Sequence, residues 1–130
     1  MQTVVGAAIV SNGRVLAARR TTPAAAAGRW ELPGGKVEPG ESDAAALVRE
    51  VAEELHCTVV VRRWLDGAVP IGDAHLLRVA VVDLVAGRAT PTEHDRLRWL
   101  AGDQLDDVDW LEPDRPFLAE LRTHLERMAP

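Results

Sequence analysis

Cysteine is nearly absent from this chain of 130 residues, in which Cys57 is the single thiol. One cysteine excludes an intrachain disulfide and a zinc site built on clustered cysteines, so a reducing cytoplasm is the expected compartment. No apolar run approaches the roughly 20 residues that span a bilayer. Residues 1–10 also lack the basic start of a secretory signal. We therefore expect a cytoplasmic protein without a membrane partner.

Basic residues are outnumbered by acidic ones. The chain has 15 Lys and Arg residues, 20 Asp and Glu residues and a net charge of -5. Nucleic acid polymers are bound largely by neutralising their phosphates, so an acidic chain is a poor candidate for that role. A small anionic ligand is still compatible, because one metal ion reverses the local field. The length and the 47% hydrophobic content predict a single globular domain over residues 1–130.

Turn signals and apolar runs divide the chain into strands and two helices. Residues 4–10 and 15–18 predict two strands joined at Asn12-Gly13. Further strands are predicted at residues 57–64, 76–85 and 96–100. Ser42 is a candidate N-cap for a helix that ends near Leu55, and a second helix is predicted over residues 113–128. Strands that alternate with two helices predict an α/β or α+β layered domain. The long segment 21–40 is interpreted as a loop that is either functional or disordered.

The first predicted helix carries three carboxylates on one side. At about 100° per residue, Glu50, Glu53 and Glu54 share a stripe beside a separate apolar face. Such a stripe is usually a solvated surface. However, hard divalent cations bind clustered carboxylates, and the preceding Gly34-Gly35 pair lets backbone approach a ligand. A metal site that faces substrate phosphates is therefore the sharper hypothesis.

The spacing of these residues resembles the Nudix box. Gly35 is followed after five residues by Glu41, and after seven more by Arg49-Glu50-Val51-Ala52-Glu53-Glu54. The segments at residues 19–20, 31–36, 93–99 and 110–114 resemble the MutT-like branch of that family, which hydrolyses nucleoside triphosphates. Within it, the chain is similar to small enzymes that act on cytidine or oxidised guanine nucleotides.

This resemblance implies a fold and an activity. The fold would be an α/β class domain, a Nudix-type α/β/α sandwich with two main helices around a mixed β-sheet. The activity would be Mg²⁺-dependent hydrolysis of ribo- or deoxynucleoside triphosphates to a monophosphate and pyrophosphate, with Mn²⁺ as a possible substitute. Substrates of the 8-oxo-dGTP or CTP and dCTP type would make the protein a cleaner of the nucleotide pool.

The resemblance also implies roles for individual residues. Metal ligands would be the Gly34 carbonyl and the carboxylates of Glu50, Glu53, Glu54 and Glu93. Catalytic roles would fall to Glu53, Glu93 and Arg49. Substrate contacts would come from Arg20, Lys36 and Asp114. Asp114 has two readings, since an Asp at a helix start is also a plain N-cap, and several coupled carboxylates leave the identity of the general base open.

One residue departs from the box, which expects Gly where this chain has His56. A left-handed residue is common just after a helix, and His is enriched among non-glycine residues with positive φ. No proposed metal ligand is lost by this change. We therefore expect an effect of His56 on stability and not on activity.

Several alternatives stay open on the sequence. The chain could be a Nudix-fold module that senses a nucleotide without turnover, or a hydrolase of another substrate such as diadenosine polyphosphate or ADP-ribose. The compact length and the lack of any tyrosine disfavour the latter. Trp30 and Trp99 are interpreted as core or pocket wall, and Trp110 as either a base-stacking or a packing residue. The preferred nucleobase is open, as is the choice between monomer and homodimer.

Overall fold

A mixed β-sheet of eight strands forms the centre of the protein, as seen in a computed structural model that describes residues 1–128. The strands are β1 (Gln2–Ser11), β2 (Arg14–Arg19), β3 (Trp30–Glu31), β4 (Gly34–Lys36), β5 (Thr58–Trp64), β6 (Val69–Ile71), β7 (His75–Ala86) and β8 (Arg96–Leu100). The helices are α1 (Asp43–Leu55) and α2 (Leu118–Met128), and two 3-10 segments, Gly102–Asp107 and Glu112–Phe117, precede α2.

Strand β1 organises the sheet, which runs in the order β3-β2-β1-β7-β5. It pairs in parallel with β7 and antiparallel with β2 and β4. Strand β6 pairs with β7, and β8 with β2. The pairing of β4 brings Gly34 opposite Gly6 and Gly35 opposite Val5. The glycine pair is thereby held against the middle of the sheet and not in a free loop.

Two apolar clusters cover opposite faces of the sheet. Alternate side chains of β1 divide between them, with Val5, Ala7 and Ile9 on one face and Ala8 and Val10 on the other, as the two-residue period of a strand requires. Helix α1 covers the first face and α2 the second. Their buried residues are Ala46, Leu47, Val51 and Leu55 in α1 and Leu118, Leu121 and Leu125 in α2. The predicted α/β/α sandwich with two main helices is confirmed.

The local signals read from the sequence are present in the structure. Asn12 and Gly13 have φ values of 53° and 73°, as the hairpin turn requires. The Ser42 hydroxyl accepts a hydrogen bond from the Ala45 amide at 3.1 Å and caps α1. His56 is left-handed, with φ 57° and ψ 36°, and its amide donates to the Ala52 carbonyl. The helix therefore ends as predicted, with His in the position that glycine usually occupies.

Other expectations need correction. Segment 21–40 contains β3 and β4, and β6 was not predicted. The predicted helix over residues 113–128 is α-helical only from Leu118. Its first part is a 3-10 turn with Pro116 inside it, because in an α-helix the proline ring would clash with the carbonyl of Glu112, four residues earlier.

Trp99 is not a core residue, since it is 36% exposed in β8. It lines a surface cavity together with Ser11, Asn12 and Arg14. In residues 1–128, the structure contains no helix that is both long and apolar enough to cross a bilayer.

Candidate active site

Arg49 lies at the centre of an ion-pair network on α1. Its Nε and Nη2 donate to the two carboxylate oxygens of Glu41 at 2.6 and 2.9 Å. Its Nη1 lies 3.0 Å from Oε1 of Glu50 and 3.3 Å from Oε2 of Glu53. Arg49 lowers the pKa of Glu41 to about 2 and its own pKa is raised. Arg49 and Glu41 thus stay charged, and Arg49 orients two of the predicted metal ligands, Glu50 and Glu53.

Strand β4 passes so close to its neighbours that two of its positions exclude side chains. A Cβ on Gly34 would lie 1.8 Å from the Val5 carbonyl oxygen. The next residue, Gly35, is in contact with the Glu50 side chain. Arg49 also donates to the Lys36 carbonyl at 3.2 Å. Strand β4 and helix α1 therefore pack together as one unit. Because α1 carries Glu50, Glu53 and Glu54, we refer to it as the acidic helix.

Glu54 holds a partly buried carboxylate at the end of this helix. Its Oε2 is buried and has no hydrogen-bond partner. Burial and the nearby carboxylates of Glu50, Glu31 and Glu93 raise the pKa of Glu54 to about 7, and only His94 acts against this rise. The negative charge of the carboxylates around Glu54 is thus only partly balanced by positively charged groups of the protein.

The predicted metal ligands are only partly assembled. Glu93 is exposed just before β8, where it lines a small polar cavity of about 30 Å³ together with Glu54. Glu53 is 60% exposed and held by Arg49. In the part of the chain that the structure describes, no three His, Cys, Asp or Glu side chains are grouped as ligands around one point. The uncompensated charge and the unpartnered Glu54 oxygen nevertheless match the needs of a hard divalent cation.

A larger cavity of about 310 Å³ opens beside the acidic helix. The substrate residues predicted from the sequence, Arg20, Lys36 and Asp114, all line it, as does Gly34. Its remaining wall is mainly aliphatic. These aliphatic residues are Val4, Val5, Leu32, Ile71, Leu77, Leu111 and Pro113. An apolar cleft with a few converging polar groups is the usual form of a small-molecule site.

Asp114 is the most buried carboxyl group of this cavity, at 6% exposure. Its Oδ2 accepts a hydrogen bond from the Leu32 amide at 3.1 Å. Burial raises the pKa of Asp114 to about 7. The reading of Asp114 as an N-cap is wrong, because Leu111 occupies the cap position of its 3-10 turn and no side chain caps that turn.

Two polar residues of the site were missed by sequence reasoning. Glu31 lines both cavities, where its carboxylate pairs with Arg20 and with His94. His94 has no metal-ligand spacing to another residue in the sequence. Glu31 and His94 are 63 positions apart, so no local pattern in the sequence could have joined them.

Trp110 is a packing residue and not a base-stacking one. It is 1% exposed, and its indole nitrogen donates to the Leu105 carbonyl at 2.7 Å. Trp30 is buried beside it, and the two form an isolated β-bridge. Neither ring lines the 310 Å³ cavity.

Comparisons with known proteins agree with this geometry. The NUDIX domain family matches residues 1–121. The chain is 41% identical to a protein of Mycobacterium tuberculosis named "Putative 8-oxo-dGTP diphosphatase 2", over 98% of this chain and 93% of that protein. It is 35% identical to the CTP pyrophosphohydrolase of Escherichia coli, over 88% of this chain and 87% of that protein.

Solved structures show the same fold. The E. coli ORF135 protein has a TM-score of 0.82 and 30% identity, covering 100% of this chain and 94% of that one. A MutT NUDIX hydrolase from Burkholderia pseudomallei has a TM-score of 0.76 and 32% identity, covering 92% and 97%. The chain thus belongs to the Nudix family, and it is a MutT-like pyrophosphohydrolase.

Proposed function

We propose that this enzyme hydrolyses ribo- or deoxynucleoside triphosphates to a monophosphate and pyrophosphate, as a cleaner of the nucleotide pool. One observation carries the proposal. The cavity of about 310 Å³ is lined at once by Asp114, by Arg20 and by Gly35, against which Glu50 packs. A nucleoside in the aliphatic part of this cavity would therefore direct its phosphates toward the acidic helix.

The names of the relatives support a choice of base. Two relatives that align over most of their length are named for 8-oxo-dGTP and for CTP. Asp114 is buried at the cavity wall, where its carboxyl group can accept a hydrogen bond from a cytosine amino group or from a guanine amide. We propose substrates of these two types, with Asp114 as the residue that reads the base edge.

The acidic helix would hold the metal that Nudix hydrolases use. We assign Glu50, Glu53, Glu54, Glu93 and the Gly34 carbonyl to Mg²⁺, with Mn²⁺ as a substitute. When bound, the ion supplies charge neutralisation for the phosphate oxygens and a lower pKa for its water. Arg49, which is held in place by Glu41, would orient the carboxylates of Glu50 and Glu53. Arg20 and Lys36 would contact the phosphate oxygens of the substrate.

Proton removal completes the chemistry. In our proposal, water attacks the β-phosphorus and the bond from that phosphorus to the oxygen that bridges it to the α-phosphorus breaks. The nucleoside monophosphate leaves with the bridging oxygen, and the β- and γ-phosphates with the oxygen of the attacking water form pyrophosphate. A carboxylate of Glu53 or Glu93 takes the proton of the attacking water. Both residues are exposed at the acidic helix and its neighbouring loop, where water can reach them.

The proposal is tested by assaying a panel of nucleotide substrates and by running the hydrolysis in ¹⁸O-labelled water. Purified enzyme with Mg²⁺ is assayed on CTP, dCTP, dGTP, 8-oxo-dGTP, diadenosine tetraphosphate, ADP-ribose and a 5′-triphosphorylated RNA. We expect pyrophosphate from the triphosphates and, in ¹⁸O water, label in pyrophosphate only. Label in the monophosphate would contradict attack at the β-phosphorus. Binding without product would instead support a sensing module, and preference for the dinucleotides or RNA would overturn the substrate assignment.

A further inference from the structure

A buried histidine, His94, lines the small polar cavity of the site and has no part in the hydrolysis proposed above. The His94 side chain is 5% exposed, and its Nε2 lies 2.8 Å from Oε2 of Glu31. A carboxylate can only accept a hydrogen bond, so the proton of this contact belongs to Nε2. His94 is therefore a hydrogen-bond donor to Glu31.

Glu31 passes this contact on to Arg20. Both of its carboxylate oxygens lie 3.1 Å from Nη1 of Arg20. The Nε of Arg20 donates to the Thr22 carbonyl at 2.8 Å. These bonds leave Nη2 of Arg20 without a hydrogen-bond partner in residues 1–128. The guanidinium is thus held at two of its three nitrogens.

The contacts from His94 through Glu31 to Arg20 lie where the two cavities of the site meet. Arg20 and Glu31 line both the aliphatic cavity and the small polar cavity that contains Glu54 and Glu93. An arginine at this junction presents its remaining N–H groups where the nucleoside cavity meets the acidic pocket. A free arginine would lose rotamer entropy on binding phosphate. Ordering of the side chain before binding removes part of that cost.

We propose that His94 is a positioning residue for substrate binding, which acts through Glu31 to hold Arg20 toward the phosphates of the nucleotide. This inference rests on the proposed function, because it assumes that the site binds a nucleoside triphosphate. His94 donates a hydrogen bond to one carboxylate oxygen of Glu31, and Arg20 donates to both oxygens. Without the imidazole, the carboxylate keeps Arg20 as its one side-chain hydrogen-bond donor in residues 1–128 and gains freedom to rotate, and Arg20 moves with it.

The main test separates binding from turnover. His94→Leu removes the donor at similar volume, whereas His94→Gln keeps an amide N–H of comparable reach. For dCTP or 8-oxo-dGTP, we expect His94→Leu to raise KM about 10-fold with kcat within about 2-fold. The Kd of a nucleoside α,β-imidotriphosphate, measured by calorimetry, should rise by the same factor. His94→Gln should restore most of both losses.

A double-mutant cycle tests whether His94 acts through Glu31. If it does, Glu31→Gln and the Glu31→Gln/His94→Leu double variant should have the same KM within about 2-fold. The matched control is His124→Leu, which removes a histidine of α2 whose Nε2 is buried without a partner in residues 1–128. It should leave KM and the Kd of the analogue unchanged.

The outcomes that overturn the proposal are distinct from failure of the proposed function. Additive losses in the cycle, or an unchanged KM and Kd in His94→Leu, contradict the positioning role while wild-type turnover stands. Absence of binding and turnover in the wild type contradicts the proposed function itself. If His94→Leu does not fold, His94→Asn replaces it, because its shorter side chain cannot reach Glu31. KM should then rise in the Asn variant and not in the Gln variant, and equal values in both would overturn the inference.

Discussion

The carboxylate of Glu50 lies against the backbone of Gly35, with no space between them for a methyl group. A Cβ built on Gly35 would be 2.3 Å from Cδ of Glu50 and 2.5 Å from each of its carboxylate oxygens. The contact is with the far end of a flexible side chain and not with backbone. An added methyl group would therefore displace the carboxylate and spare the fold.

Gly35→Ala is expected to lower kcat by at least about 10-fold while the melting temperature changes little, because a misplaced catalytic group is costly. Gly34→Ala is the matched control, since its Cβ would meet the Val5 carbonyl oxygen at 1.8 Å. That clash is with backbone, so we expect a loss of about 3 kcal/mol in stability. Steady-state kinetics and urea unfolding of both variants provide the check. Equal destabilisation of the two would contradict the distinction.

Glu54→Gln should separate activity from stability. Its buried Oε2 has no partner, and removal of an uncompensated charge from such a position stabilises a fold. We expect a gain of about 1 kcal/mol at pH 8 in EDTA, together with at least a 100-fold fall in turnover with Mg²⁺. Glu53→Gln, at a side chain that is 60% exposed, should lose activity similarly and gain no stability. Near-wild-type rates in both variants would contradict the metal assignment.

The features of the fold that could be predicted from the sequence are those with local causes. Ser42 and His56 bound α1 through contacts within four residues of each cap, and the Asn12-Gly13 turn is set by its own backbone angles. Strands β3, β4 and β6 have only two or three residues each. No periodic pattern can reveal segments so short, because their pairing partners on other strands determine them.

The site divides in the same way. The carboxylates of α1 could be found because helical spacing brings them to one side, and Arg49 does contact Glu53. The contact between Asp114 and Leu32 spans 82 positions, so the sequence could offer only a cap as the physical role of Asp114. The His94 contact to Glu31 was lost for the same reason. Hydrogen bonds between distant segments leave no spacing to read.

His56→Gly should stabilise the protein by about 0.5–1 kcal/mol and leave the rate unchanged. The residue has φ 57° and ψ 36°, where a side chain has a steric cost that glycine avoids. Part of that gain is offset by the larger entropy of glycine in the unfolded chain. Urea unfolding and kcat/KM are the measurements. A large loss of activity would instead make His56 a site residue.

Burial of Asp114 predicts a specific pH dependence of stability. Its pKa rises from 3.8 to about 7 in the folded protein. Between about pH 4 and pH 7 the native state therefore keeps a proton that the unfolded chain releases, so the free energy of unfolding falls as pH rises through this window. Asp114→Asn should remove the contribution of Asp114 to that slope. The difference in free energy of unfolding between the variant and the wild type should therefore be more favourable to the variant at pH 8 than at pH 4, by at least about 1 kcal/mol. Parallel pH profiles of unfolding for the two proteins would contradict the burial of this group.

Asp114→Asn also tests the reading of the base. The Asn carbonyl can still accept the Leu32 amide, which lies 3.1 Å from Oδ2 in the wild type, so the local structure should persist. The new amide group can donate as well as accept, which changes the hydrogen-bond pattern offered to a nucleobase in the cavity. If Asp114 reads the base edge, the ratio of kcat/KM between dCTP and 8-oxo-dGTP should shift by about 10-fold or more. The measurement is that ratio in both proteins, with dGTP as a third substrate. An equal change for all three, or no change, would leave Asp114 with a structural role only, as the side chain that ties the segment after Leu111 to Leu32.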